Sequence, residues 1–279
     1  MCQAGLPAGV FNVVTGYGEE AGQALAVELA RSGAKLAISD IDTVGLAETE
    51  ARVKAIGAPV IADRLNVAER ESFEHYADTV VAHYGTVNQI YNNAGIAYTG
   101  DLEVTGFKDI ERVMDVDFWG VVNGTKIFLP HLIASGDGHV VNVSSVFGLF
   151  SVPGQSAYNA AKFAVRGFTE ALRQEMRLAG HPVQVTTVHP GGIKTGIMRN
   201  STAADNVDTA ALTKMFDKWL TLTSPEAAAR IILSAVRSGD ARVLVGPDAK
   251  LFDLVVRLTG SGAYQGLFST IVNRFMPKV

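Results

Sequence analysis

The chain holds a single cysteine, Cys2, so no internal disulfide can form, and a reducing compartment is the fitting environment. It has no apolar run near the roughly 20 residues that a membrane-spanning helix needs. Its six histidines (75, 83, 131, 139, 181, 189) show no His-x-x-His or Glu-linked spacing, which argues against a zinc site. Charged residues make up only 19% and the net charge is −4, so the basic face that a nucleic-acid partner demands is missing. No Pro- or Ser-rich linker and no internal repeat divides the 279 residues, and one soluble domain, residues 1–279, is expected. The N-terminus lacks the basic start and long apolar core of a signal peptide, which points to the cytoplasm.

What is present is alternation. β-branched or apolar runs at 11–15, 35–39, 59–63, 87–91, 138–143, 183–188 and 242–245 are separated by segments of helical spacing at 44–56, 69–84, 107–134 and 225–236 and around 25 and 156–172. That order implies an α/β fold, a doubly wound, Rossmann-type, seven-stranded parallel sheet in a single domain. Ser145 falls at the carboxyl end of the 138–143 strand. Tyr158 and Lys162 stand one helical turn apart on a common face. A phenol of ordinary pKa about 10 is a weak base near neutrality, and a neighbouring ammonium favours its ionised form. A serine beside the pair can hydrogen-bond a carbonyl or alkoxide while the tyrosine exchanges the proton. None of these groups transfers a hydride, so a cofactor must do so.

A site for that cofactor is legible upstream. A strand ending at Thr15, a turn with Gly16, Gly18 and Gly22, and a helix running to Gly33 form the strand-turn-helix arrangement that cradles phosphate on backbone N–H groups. The second strand ends at Asp40, whose carboxylate suits ribose hydroxyls and repels a 2′-phosphate, and Gln23 in the first helical turn offers no guanidinium to such a phosphate. NAD is therefore favoured over NADP.

Tyr158-x-x-x-Lys162, Ser145 thirteen positions earlier, Asn92-Asn93-Ala94-Gly95 and Pro190-Gly191-Gly192-Ile193-Lys194-Thr195, in that family's chain order, resemble the short-chain dehydrogenase/reductase family over about residues 24–279. The resemblance implies NAD-linked interconversion of a secondary alcohol and a ketone, with homodimers or homotetramers. It assigns Asn66 and Val67 to the adenine, the small residues Asn93, Ala94 and Gly95 to the cofactor wall, and the Ile193 backbone and Thr195 to the nicotinamide carboxamide. It also gives Asp117 the place of a catalytic Asn that supports a water linked to the lysine. As a charged replacement, Asp117 could pair with Lys162 and temper its effect on Tyr158, or simply keep the amide's structural hydrogen bond.

The turn departs from that pattern. Glu20 stands where the family has its middle glycine and Glu19 where it has a small polar residue, which places two carboxylates beside a diphosphate. Residues 3–25 instead resemble an aldehyde dehydrogenase strand-turn-helix, so the chain reads as a chimera of two families. Aldehyde dehydrogenase chemistry needs a cysteine nucleophile deep in the chain, and Cys2 is the only one. The competing reading is a cofactor-impaired binding protein that keeps the fold. Residues 196–223 are expected to form a substrate lid, or a surface helix with one apolar stripe. The tail, 248–279, breaks at Gly260-Ser261-Gly262; it is expected to pack over the cleft or a sister subunit, with a membrane surface as the alternative. Apolar lid and tail residues suggest a hydrophobic substrate.

Overall fold

The computed structural model describes residues 10–14, 19–194, 201–204, 207–208 and 222–275. Nine strands appear among them: β1 (Val10–Val14), β2 (Lys35–Asp40), β3 (Val60–Arg64), β4 (Gln89–Asn92), β5 (Tyr98–Thr99), β6 (Gly138–Val143), β7 (Val183–Pro190), β8 (Thr202–Ala203) and β9 (Arg242–Val245). The helices are α1 (Glu19–Arg31), α2 (Thr43–Ala55), α3 (Arg70–Tyr84), α4 (Phe107–Met114), α5 (Gly120–Ala134), α6 (Ser156–Leu178), α7 (Pro225–Ser238) and α8 (Pro247–Phe275).

Seven strands form one sheet in the order β3-β2-β1-β4-β6-β7-β9, with every neighbouring pair parallel. The chain winds outward from β1 to β3, returns to place β4 against β1's other side, and then winds the opposite way. This makes the gap between β1 and β4 the switch point, where a crevice opens at the strands' carboxyl ends.

Period-2 alternation divides the central strands between two cores. Leu36 and Ile38 of β2, Val141 of β6 and Val188 of β7 face a core shared with Leu25, Leu29, Ile232 and Val236 of α1 and α7. Ala37, Val140 and Val185 face the opposite core, built on Phe73, Phe128 and Leu172 of α3, α5 and α6. There Phe73, Tyr76 and Phe128 meet edge to face, with ring centroids 6.3–6.4 Å apart. Helix ends follow local chemistry. The Asp42 carboxylate caps α2 by accepting from Val44 N and Gly45 N, and Ser224 caps α7 through Ala227 N at 3.2 Å, with Pro225 in the first turn.

Two expectations need correction. The helix expected over 107–134 is interrupted by a π-helical turn, Asp115–Trp119, between α4 and α5; the wider turn carries Asp117 into the interior, where it is fully buried. The strand expected over 87–91 is shifted to Gln89–Asn92, although Val87 is still a core residue. The tail breaks where expected, at Gly260 (φ 69°, ψ 168°), and resumes as helix beyond it. Most of the lid expected at 196–223, and Cys2, lie outside the described residues. No described helix is long and apolar enough to cross a membrane, and no cluster of metal-ligating side chains occurs among the described residues.

Candidate active site

Ser145 lies two residues past β6 and caps a 3-10 turn, Val146–Gly148, with its Oγ accepting from Phe147 N at 3.1 Å. The turn packs tightly on α6: a Cβ at Gly148 would lie 2.7 Å from the Lys162 carbonyl oxygen, so only glycine permits the approach. Ser144 fixes the same junction by donating from Oγ to Lys162 O at 2.8 Å. From beneath, His189 of β7 donates from Nδ1 to the Ser145 carbonyl at 2.9 Å. Ser144 and His189 were not singled out in the sequence; the Ser-Ser doublet was the only cue to the first, and nothing marked the second.

α6 brings Tyr158 and Lys162 to this serine. Both are buried, and the Lys162 Nζ sits 5.4 Å from the centre of the Tyr158 ring. The phenol packs edge-on to Phe147 at 6.2 Å. Burial pushes its pKa up; the Lys162 charge and a hydrogen bond with Ser145 pull it down, while the Asp117 charge adds to the rise. Lys162 also reaches the Val143 carbonyl at 3.4 Å. Burial acts to lower its pKa, but Asp117 and Tyr158 together outweigh that and hold the ammonium above its ordinary value.

Asp117 binds in two directions. Its Oδ1 accepts from Ile96 N at 2.7 Å, and its Oδ2 forms an ion pair with Lys162 Nζ at 3.2 Å. The carboxylate thus makes the pairing with Lys162 and a separate hydrogen bond to the backbone. Burial raises its pKa, against the opposing pull of Lys162 and of the Ile96 N–H.

The remaining candidate residues spread along the same sheet edge. Asp40, buried at the end of β2, accepts from Asp42 N through Oδ1 at 3.0 Å. Asn93, Ala94 and Gly95 follow β4, and a Cβ on Gly95 would come within 3.2 Å of Lys162 Nζ, so the missing side chain keeps the wall over the lysine clear. Beneath them, Asn92 donates to Asn142 Oδ1 (2.8 Å) and Thr125 Oγ1 (3.0 Å), which ties β4 to β6 and α5. Asn66 is already engaged: its amide donates to Glu69 at 2.8 Å and its oxygen accepts from Ala68 N at 3.2 Å, leaving one oxygen lone pair for an adenine. The Val67 carbonyl accepts from Asn123 at 3.0 Å. Ile193 is buried and bridges to Thr223. Gly22 is buried in α1; Gly16, Gly18 and Thr195 lie outside the described residues.

This edge suits a dinucleotide. Asp40, the small wall 93–95, Ser145 and the 190–194 segment all follow strand carboxyl ends on both sides of the switch point. Glu19 and Glu20 are the first two residues of α1, the end toward which the helix dipole attracts anions.

The sequence pattern described as short chain dehydrogenase matches residues 11–206, so the match begins inside the 3–25 segment. The chain is 61% identical to SadH of Mycobacterium tuberculosis, which carries the name of an oxidoreductase, over 96% of this chain and 97% of that one. It is 37% identical to estradiol 17-beta-dehydrogenase 11 of Macaca fascicularis over 69% of this chain and 65% of that one. Among solved structures, a short chain dehydrogenase/reductase from Burkholderia phymatum in complex with NAD superposes with a TM-score of 0.83 at 28% identity, covering 90% of this chain and 92% of that one.

Proposed function

Because this chain belongs to the short chain dehydrogenase family, we propose that it is an NAD-dependent oxidoreductase interconverting a secondary alcohol and a ketone. The observation that carries the reading is the convergence of Ser145, Tyr158 and Lys162 in one buried site at the sheet's carboxyl edge. The NAD named with the B. phymatum structure and the carboxylate of Asp40 support the choice of cofactor. NAD, when bound, exchanges a hydride with the substrate carbon. In the reducing direction the Ser145 hydroxyl and the Tyr158 phenol hydrogen-bond the carbonyl oxygen, and Tyr158 delivers its proton there. In the oxidising direction Tyr158 takes the proton back, with the Lys162 charge stabilising the phenolate. Ile193 and Thr195 would hold the carboxamide, and Asn66, Val67, Asn93, Ala94, Gly95, Gly16, Gly18 and Gly22 would line the dinucleotide path. The substrate would be small and hydrophobic, and the assembly a cytoplasmic homodimer or homotetramer.

A second reading is carried by the start of α1. Glu19 and Glu20 occupy the helix end that a diphosphate would use, and the likeness of residues 3–25 to an aldehyde dehydrogenase turn accounts for them. On that reading the protein keeps the fold but holds the cofactor poorly.

The test pairs two measurements. NADH oxidation is followed with a panel of hydrophobic ketones, and melting is followed with and without NADH. The oxidoreductase reading expects turnover that Tyr158→Phe abolishes without lowering the melting temperature. A melting temperature that NADH does not raise, with no turnover of any ketone or alcohol, would favour the binding protein.

A further inference from the structure

The segment that follows β7 is held almost entirely by the last third of the chain. Gly191 N donates to Val245 O of β9 at 2.9 Å, and Lys194 N to Thr223 O at 2.9 Å. The Gly192 carbonyl accepts from Leu222 N at 3.1 Å and Thr223 N at 3.3 Å. These ties run from backbone to backbone. Gly192 N differs, because it donates to a side chain, Asp248 Oδ2, at 2.6 Å.

Asp248 lies in the first turn of α8, 56 residues from Gly192, and is buried. A buried carboxylate that accepts a short hydrogen bond from a backbone N–H is among the stronger neutral-to-charged contacts in a protein. The chain is shaped around it. A Cβ on Gly191 would collide with the Asp248 carboxylate, and a Cβ on Gly246 would sit 2.5 Å from Asp248 Oδ1. Gly191 thus gives way to the Asp248 side chain, whereas Gly246 needs glycine for its own φ of 106°.

The clamped segment adjoins the chemistry. β7 pairs with β6 through Val188 and Val143, so both strands end side by side, and His189 bonds the Ser145 carbonyl. Residues 190–194 therefore leave the sheet next to Ser145, on the edge where the cofactor would lie.

We propose that Asp248 is a positioning residue for the cofactor: it fixes the 190–194 backbone, and through it Ile193, in the conformation that receives the nicotinamide end of NAD. The proposal rests on the NAD-dependent reading above. Asp248 itself touches neither substrate nor hydride. Its loss should be felt in cofactor affinity before it is felt in chemistry, since a loop displaced by about 1 Å misaligns its ligand contacts.

The experiment measures NADH dissociation constants by fluorescence titration for the parent, Asp248→Ala, Asp248→Asn and Gly191→Ala, together with KM, kcat and melting temperature. Asp248→Ala should weaken NADH binding at least tenfold and raise the KM for NADH in step, with kcat changed less than threefold. Asp248→Asn keeps an oxygen that accepts from Gly192 N, and should stay within threefold of the parent. Gly191→Ala, which displaces the carboxylate from the opposite side, should resemble Asp248→Ala and stands in for it if that variant does not fold. NADH binding within twofold of the parent in the folded Asp248→Ala or Gly191→Ala protein overturns the proposal, as does equal weakening by Asp248→Ala and Asp248→Asn. A parent that binds no NADH overturns the oxidoreductase reading as well, so the two failures are told apart.

Discussion

Asp117 Oδ2 and Lys162 Nζ stand 3.2 Å apart with neither side chain open to water, so the cation proposed to ease ionisation of Tyr158 already has a counter-ion. The pair has two effects of opposite sign on the phenol. The ammonium favours phenolate and the carboxylate disfavours it, while burial raises the phenol's pKa before either acts. Replacing Asp117 by Asn keeps an acceptor for Ile96 N and removes only the charge. With Lys162 still protonated, the Tyr158 pKa falls. For Asp117→Asn, the acid limb of the alcohol-oxidation profile in kcat/KM should move about one pH unit downward, the scale of one charge at intermediate effective dielectric. Movement of that limb to higher pH would show instead that Asp117 serves to keep the buried lysine charged.

That pair also marks how far the sequence could be read. The runs at 35–40, 138–143 and 242–245 are apolar or β-branched enough to be legible as strands, and the alternating order of strands and helices implied their parallel winding. Five residues of π-helix were not legible, because apolar spacing over one turn cannot separate 3.6 residues per turn from a wider repeat. The direction in which Asp117 points follows from that turn, so its partner could only be one of two alternatives. The Asp248 clamp on Gly192 was beyond reach for another reason: it spans 56 residues, and neither residue carries a local signature of the pairing.

Two buried histidines predict acid sensitivity. His139 and His189 both have pKa values lowered to about 4 from 6.5, first by burial and next by nearby arginines, although His189 regains part through the Ser145 carbonyl. The roles of their nitrogens agree with neutral rings. Thr186 spends its proton on Asp240 O at 2.6 Å, so His139 Nε2 donates to it at 2.8 Å. His189 Nδ1 donates to Ser145 O, and its Nε2 faces no partner among the described residues, so a second proton there would be unsatisfied. A depressed folded pKa means stability that is complete above about 6.5 and is lost as pH falls toward about 4. The loss is on the order of 3 kcal/mol per histidine at the acid end. Melting curves should shift downward between about pH 6.5 and about pH 4.5, and His139→Asn with His189→Asn should flatten that slope. A pH-independent melting temperature over this range would contradict neutral burial.

Asp40 tests the ribose assignment. Its carboxylate ends β2 and already accepts from Asp42 N at 3.0 Å, which fixes its direction at the strand terminus. If it also holds the adenosine ribose and repels a 2′-phosphate, Asp40→Ala should weaken NAD and spare or improve NADP. The ratio of the two kcat/KM values should narrow about tenfold, equivalent to about 1.4 kcal/mol. An unchanged ratio would remove Asp40 from the cofactor site.

The start of α1 decides between enzyme and binding protein. Glu19 and Glu20 open the helix, where carboxylates gain from the same helix dipole that a diphosphate would use. The two demands conflict: what steadies the empty helix opposes the ligand. Each carboxylate close to the diphosphate costs on the order of 1 kcal/mol or more at intermediate effective dielectric, a severalfold to tenfold loss of affinity. Screening by salt reduces that cost where the glutamates reach solvent. Glu20→Gly with Glu19→Ser should therefore tighten NAD binding at least tenfold at low ionic strength and flatten its salt dependence, while lowering the melting temperature of the unliganded protein as α1 loses its N-terminal charges. A double variant that binds NAD no better than the parent at low salt would mean that the carboxylates turn away from the diphosphate, and the binding-protein reading would lose its support.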